Sequence, residues 1–343
     1  MHKIVIHAPG GYEKLRWEEH PDPTPQDGEV LVETAAVGVN YADCCVRFGV
    51  YGSAKKYVGW PITPGFECAG TVTRVGHGVT NLAVGSQVIA MVRFGAYATH
   101  VVAPASQVFP VPRGFSLLEA GGFSTVHLTA YHALFQCVHL RPGMIVLIHS
   151  AAGGVGSAMV RLAKIADCRV IGVVGSTHKV EYARSLGCDM VIDKSREHLW
   201  RAVEAACPAG LDIVCDANGP ATFAESYRHL RPTGRLIVYG FHTMLPRSGG
   251  RLNYLQAVWG WLKMPRFNPF TMVSENKGVS GFNLSFLFDR PDLLAEAMHD
   301  LLAWANEGRI PPPQITTFPL ADAAQAHARL ESGQTTGKLV LIP

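Results

Sequence analysis

Residues 144–156, Met144-Ile145-Val146-Leu147-Ile148-His149-Ser150-Ala151-Ala152-Gly153-Gly154-Val155-Gly156, decide the fold. An apolar run ends in a glycine-rich turn. A helical pattern follows from Ser157 to Ala166, then a second apolar run, Val170-Ile171-Gly172-Val173-Val174, and a second helical stretch. Strand, glycine turn, helix and strand in that order form the unit in which such a turn cradles a dinucleotide. Gly153 lets the backbone approach a pyrophosphate, and Gly156 lets the helix pack close to the strand. The helix N-terminus then offers free N–H groups and the positive end of its dipole. The full pattern G-x-G-x-x-G asks for glycine at 151, where the chain has Ala151. The completeness of the surrounding unit carries the reading instead.

The end of the second strand indicates which dinucleotide. A site for NAD places Asp or Glu about 20 residues past the glycines to hold the ribose 2′-hydroxyl. Here the chain reads Val174-Gly175-Ser176-Thr177-His178-Lys179, and the first carboxylate, Glu181, already lies in the next helical stretch. Hydroxyls and a lysine suit a 2′-phosphate, through short hydrogen bonds and charge-assisted contacts. The expected coenzyme is NADP(H), with Ser176 and Lys179 on its phosphate. Thr177 also suits a helix N-cap.

Outward from this unit, the 343 residues are enough for two domains. Before about residue 124 short strand patterns dominate, such as Val30–Thr34, Ala69–Val75, Gln87–Met91 and Ala96–Val102, separated by glycine turns. They predict a compact antiparallel, barrel-like domain. From 124 onward helix and strand alternate, and six strands in a parallel sheet give a doubly wound α/β domain. A helix over Leu293–Asn306 and a last strand over Lys338–Ile342 close the chain. Residues 243–275 hold Trp259, Trp261, Phe267 and Phe270 between two core strands. They read as a lid, a substrate wall or a subunit contact, or as an ordinary amphipathic helix over Leu252–Lys263.

Hydrophobic residues make up 48% of the chain and charged ones 17%, with a formal net charge of +3. A large core can therefore be buried, and no basic tract with interleaved aromatics supports nucleic-acid binding. The eight cysteines form no C-x-x-C pair and suggest no disulfide framework. The N-terminus reads as a strand rather than a signal peptide, and no apolar stretch spans a bilayer. A soluble, reducing, cytoplasmic setting is expected, and membrane-surface association has no support in the residues themselves. Neither G-x-S-x-G nor H-E-x-x-H occurs, which removes the commonest hydrolase readings.

Four stretches carry a resemblance over nearly the whole chain: Gly38-Val39-Asn40-Tyr41-Ala42-Asp43, Pro64-Gly65-Phe66-Glu67-Cys68-Ala69-Gly70, His149 to Gly156, and Gly337-Lys338. The chain resembles the medium-chain dehydrogenase/reductase superfamily, in its zinc-independent quinone oxidoreductase (zeta-crystallin-like) branch. The stretch Asn276–Leu284 and the Trp-rich segment are most similar to the vesicle amine transport protein homologues. The resemblance implies an α/β protein: a GroES-like β-barrel catalytic domain over 1–123 and 288–343, and a doubly wound parallel-sheet Rossmann domain over 124–287. It also implies a homodimer made through the strand near Gly278–Leu284.

Zinc-dependent relatives have cysteine where this chain has Asn40 and histidine where it has Phe66. A catalytic zinc needs three protein ligands, so the expected metal is none. Without a Lewis acid the acceptor must itself be an electron sink, either a quinone or an α,β-unsaturated carbonyl. By the resemblance Asn40 lies beside the nicotinamide and donates to a developing oxyanion. Tyr51 is the polar group at the mouth of the site, and Asp43 orients neighbouring backbone. Thr129, Ala152, Gly153, Gly154, Val155, Gly156, Lys194, Tyr239, Gly240 and Lys338 complete the implied coenzyme contacts. The competing expectation is an NADPH-binding protein with weak catalysis that meets a partner or a membrane surface. His127 and His149 belong to no spaced set and read as satisfied core histidines.

Overall fold

The computed structural model describes residues 1–246 and 252–343. Along the chain the first seven strands are β1 (His2–Val5), β2 (Arg16–Glu19), β3 (Glu29–Val39), β4 (Glu67–Val75), β5 (Gln87–Met91), β6 (His100–Pro104) and β7 (Val108–Pro110). Six follow in the middle: β8 (Ile145–His149), β9 (Arg169–Val174), β10 (Met190–Asp193), β11 (Leu211–Asp216), β12 (Leu230–Val238) and β13 (Gly278–Gly281). The last two are β14 (Ile315–Pro319) and β15 (Lys338–Ile342). The chain divides into two compact units, one over Met1–Leu128 with Leu284–Pro343, the other over Thr129–Pro246 with Asn253–Asn283.

The first unit is built on a mixed sheet in the order β14-β15-β3-β4-β5-β7, with β6 also paired to β3. Its strands alternate. Val30 and Val32 point into a core with Val72, Val88, Ala90 and Val101, while Glu33 and Arg74 face out. The returning strand β15 pairs antiparallel with β3 in the register Leu339↔Val39, Val340↔Gly38 and Leu341↔Val37. The C-terminal strand therefore joins the sheet of the first unit.

The second unit is the expected six-stranded parallel sheet, ordered β10-β9-β8-β11-β12-β13. Helices cover both faces of such a sheet, so its central strands are continuous apolar runs rather than alternating ones. In β8, Val146, Leu147 and Ile148 are all fully buried. The strand order reverses between β8 and β11, which opens a crevice at their C-terminal ends. The glycine turn follows β8 there.

In the 243–275 segment the helices are Tyr254–Leu262 and Pro269–Glu275, while residues 247–251 lie outside the described residues. Phe267 turns inward onto Tyr227, with ring centroids 5.3 Å apart. Leu255, Trp259, Trp261, Leu262, Phe270 and Val273 are exposed.

Candidate functional site

In the second unit the helix Gly154–Ile165 starts directly after the turn, with Gly153 at its N-cap and no side-chain cap. Its first backbone N–H groups are therefore available to an anion. A Cβ on Gly156 would sit 2.2 Å from the Ser150 carbonyl oxygen, so only glycine lets the helix start this close to the end of β8. Ala152 is buried beneath the turn. Lys194, just past β10, brings its stem near Gly175, whose Cβ would lie 3.6 Å from Lys194 Cε. Ser176 and Lys179 occupy the turn after β9, and Lys179 is largely buried. Tyr239 and Gly240 follow β12, with Tyr239 stacked on Phe282 at 6.3 Å. Thr129 lies buried in the helix Ser124–Tyr131. The glycine turn and the uncapped helix N-terminus suit a dinucleotide phosphate, and no carboxylate ends β9.

One hydroxyl is used differently from its sequence reading. Thr177 Oγ1 donates to Asp193 at 2.7 Å, and Ser195 donates to the same carboxylate from its hydroxyl at 2.6 Å and its backbone N–H at 2.9 Å. The N-cap position of the short turn Thr177–Lys179 falls on Ser176, not Thr177, and the Ser176 side chain makes no capping bond. Asp193 sits at the end of β10, one strand over. Strand adjacency, invisible in the local sequence, brings it to Thr177.

The first unit gathers a second polar cluster. Asn40 precedes the helix Tyr41–Phe48, and its backbone N–H donates to Asp43 Oδ2 at 2.8 Å. Asp43 Oδ1 takes the Gly65 N–H at 2.9 Å, and the Tyr97 hydroxyl donates to Oδ2 at 3.1 Å. Burial pushes the Asp43 carboxyl up to about 7, against the pull of these donors and of Lys338. Asp43 thus orients backbone, as expected.

The Asn40 side chain is held at both ends. Its Nδ2 donates to Glu67 Oε1 at 3.0 Å and to the Gly38 carbonyl at 3.3 Å. Its Oδ1 accepts from Lys338 Nζ at 2.6 Å. Lys338 Nζ also reaches Glu67 Oε1 at 2.8 Å. Glu67 Oε2 takes the Ser124 hydroxyl at 2.9 Å and the Thr125 N–H at 2.8 Å. Burial alone would raise the Glu67 carboxyl, but the Lys338 ammonium and the hydrogen bonds outweigh it and hold it below its ordinary value. Tyr51 stands at the N-cap of the helix Gly52–Tyr57, edge-on to Phe66 at 5.7 Å and Phe94 at 6.3 Å.

Sequence reasoning missed the partner of Glu67. The signal was a lone acid inside the apolar run Phe66-Glu67-Cys68-Ala69, which must be paired if buried. It also missed a neighbouring network. Arg47, fully buried, pairs with Glu331 at 2.6 Å, and Tyr12 donates to the same carboxylate at 2.7 Å. His327 Nε2 lies 3.2 Å from the Tyr97 hydroxyl. Ligand atoms of Cys44, His327 and Glu331 come within 4.8 Å of one another. A metal cation there would face the Arg47 guanidinium, so this cluster reads as structural. In the second unit Ser226, His149 and Asp216 meet, but Ser226 Oγ donates to Asp216 at 2.7 Å and all three are buried. No activated nucleophile results; His149 is a core residue as read, but its Nδ1 is buried without a hydrogen-bond partner rather than satisfied.

A GroES-like sheet domain, a doubly wound domain with a phosphate-cradling turn, and an ion-paired Asn–Glu–Lys cluster define a two-domain dehydrogenase/reductase. Residues 26–113 match the alcohol dehydrogenase GroES-like domain, and 186–341 match the zinc-binding dehydrogenase family. The chain belongs to the medium-chain dehydrogenase/reductase superfamily, among the vesicle amine transport protein (VAT-1) homologues and quinone oxidoreductases. It is 31% identical over 342 residues to the synaptic vesicle membrane protein VAT-1 homolog of Rattus norvegicus, covering 99% of this chain and 83% of that protein. It is 33% identical over 353 residues to a 2-haloacrylate reductase of a Burkholderia species, covering 99% and 98% of the two chains. The structure of Escherichia coli quinone oxidoreductase complexed with NADPH superposes with a TM-score of 0.86 at 27% identity, covering 100% of both chains.

Proposed function

We propose that this chain is a zinc-independent, NADPH-dependent oxidoreductase that reduces a quinone or an α,β-unsaturated carbonyl. The carrying observation is the lysine-centred cluster at Asn40. Lys338 Nζ bonds Asn40, which by the resemblance stands where zinc relatives carry a cysteine, and Glu67, next to the Phe66 that stands where they carry a histidine, so the donor set fits an ammonium rather than a metal. The acceptor must then delocalise its own negative charge, which quinones and conjugated carbonyls do. The relatives support this direction, since one is a 2-haloacrylate reductase and another a quinone oxidoreductase bound to NADPH.

When bound, NADPH would supply the hydride, and with a proton drawn from solvent the acceptor would become a hydroquinone or a saturated carbonyl. The turn Ala152 to Gly156 would hold the pyrophosphate, and Ser176, Lys179 and Lys194 would hold the adenosine phosphate. Thr129, Tyr239 and Gly240 line the coenzyme's path. In the first unit the Asn40 amide and the Tyr51 hydroxyl offer the acceptor groups to bond. The test is NADPH absorbance with 1,2-naphthoquinone, 2-haloacrylates and simple enones. Oxidation of NADPH, with NADH the poorer donor, is the expected result. Tight binding without oxidation across the panel would replace this reading with the second.

That second reading is a coenzyme-binding protein with weak catalysis whose main task is docking. Its support is the exposed apolar face of Tyr254–Leu262 and Pro269–Glu275. The expected homodimer is an economical occupant of that face, because β13 follows it in sequence and lies at the open edge of the sheet. Among the described residues no helix is long and apolar enough to cross a membrane.

A further inference from the structure

One matching family is described as zinc-binding, yet the cluster around Asn40 does not suit a metal. Of the residues at the expected ligand positions, Phe66 has no donor, and Asn40 offers only a neutral amide. Glu67, a carboxylate beside them, has both oxygens engaged by Lys338, Asn40, Ser124 and Thr125. A divalent ion would have to displace the Lys338 ammonium from a position where it is 3% exposed and its carboxylate partner fully buried.

The backbone is shaped to keep that ammonium. Extending the β15–β3 register by one residue sets Lys338 opposite Asn40, and on the other side of β3 the pairing Val37↔Cys68 sets Glu67 opposite Gly38. Three adjacent strands thus deliver a cation, an amide and an anion to one spot. Two glycines make room. A Cβ on Gly38 would lie 2.3 Å from Glu67 Oε1, and one on Gly122 would lie 2.6 Å from Lys338 Cγ. An ion pair so enclosed has a single arrangement, and Asn40 inherits it. With Oδ1 against an ammonium and Nδ2 against a carboxylate, the amide cannot flip without opposing both charges.

We propose that the Lys338 ammonium is the resident cation of this site in place of a metal, and that it acts as a positioning residue by fixing the orientation of the Asn40 carboxamide. Lys338 does not touch the acceptor. It works through Asn40, a role distinct from the coenzyme contact that the resemblance implies. The role in turnover rests on the reductase reading above, whereas the pairing and the exclusion of metal do not.

The experiment has two arms. In the first, kcat, KM and coenzyme Kd are measured for Lys338→Met, Asn40→Ala and the double variant. Lys338→Met should lower kcat by at least about tenfold while coenzyme Kd moves less than about threefold, and the double variant should be no worse than Asn40→Ala alone. Lys338→Arg, which keeps the charge, should recover part of the loss. If Lys338→Met fails to fold because Glu67 is left buried and unpaired, Lys338→Met combined with Glu67→Gln removes both charges and takes its place in the cycle. Additive losses, or a large rise in coenzyme Kd with kcat intact, would overturn the proposal.

The second arm does not need turnover. Wild-type protein dialysed against zinc should retain none at this site, and the Asn40 side-chain amide protons should exchange slowly with solvent by NMR. In Lys338→Met that protection should vanish. Stoichiometric zinc whose uptake is abolished by Glu67→Gln, or equal amide exchange in wild type and variant, would overturn the proposal. If wild type binds coenzyme but reduces no acceptor, the reductase reading fails alone and this arm still decides the pairing.

Discussion

Arg47 shows how costly a charge is to house. It is wholly buried, it pairs with Glu331, and it lies over the rings of Tyr12 and Phe48 at 4.4 Å each. Removing one member of a buried pair leaves the other uncompensated. Arg47→Met should therefore destabilise the protein by about 3–5 kcal/mol, measured by chemical denaturation. Combining it with Glu331→Gln should recover part of that loss. At the coenzyme turn, Lys179→Ala with Ser176→Asp removes a charge-assisted contact and adds repulsion to a 2′-phosphate. NADPH binding should weaken by about 2–4 kcal/mol by calorimetry, with NADH affected less. Equal loss for both coenzymes would place the phosphate elsewhere. Single residues were legible in the sequence only where local chemistry determines their role. The glycines of the turn could be read because close approach is a property of one position. Lys338 could not, because its role depends on Glu67, far away in sequence and brought near by strand pairing.

Among the elements, the β8–turn–helix unit tolerates change unevenly. Gly156→Val should abolish NADPH binding and cost more than about 2 kcal/mol in stability, since backbone cannot retreat from a side chain. Gly153→Ala, where a Cβ would meet the Ser150 carbonyl at a less severe 3.3 Å, should be milder on both measures. The helices Tyr254–Leu262 and Pro269–Glu275 pose a different question. Trp259→Ser with Phe270→Ser should shift a dimer toward monomer by light scattering while leaving NADPH affinity unchanged. An unchanged mass would assign the face to another occupant. The sequence showed that this segment was unusual, because aromatics and prolines interrupt the core pattern. It did not show which side chains turn outward, since only the fold determines that Phe267 meets Tyr227 while Phe270 does not.

For the whole molecule, two buried groups oppose each other as pH changes. Burial, helped by Arg47, pushes the His327 imidazole down to about 3 from an ordinary 6.5. The unfolded chain then binds a proton that the folded one refuses, so this group removes stability as pH falls from 6.5 toward 3. Burial pushes Asp43 up to about 7 from 3.8, so the folded form holds a proton that the unfolded one releases. That group removes stability as pH rises from about 4 to 7. Between pH 4 and 6.5 the two slopes offset each other, each at most about 1.4 kcal/mol per pH unit. Wild-type thermal stability should be nearly flat across that range. His327→Gln should expose the Asp43 slope and grow less stable as pH rises through it. A variant as flat as wild type would show that His327 does not titrate as described. The two-unit architecture was legible because strand length and helix alternation are local properties. The order of strands within each sheet was not, because it is decided by packing.

The strand β15 carries a consequence for biosynthesis. It lies beside β3, yet almost the entire polypeptide is translated between them. The middle unit has all its strands before β14 emerges, so it can mature on the ribosome while the opening segment still lacks a neighbour. Vectorial synthesis ordinarily favours the N-terminal domain, and here the embedded one has the advantage. A nascent chain halted just short of Gly337 would carry a finished coenzyme module and an unsealed barrel, with Glu67 deprived of its counter-ion.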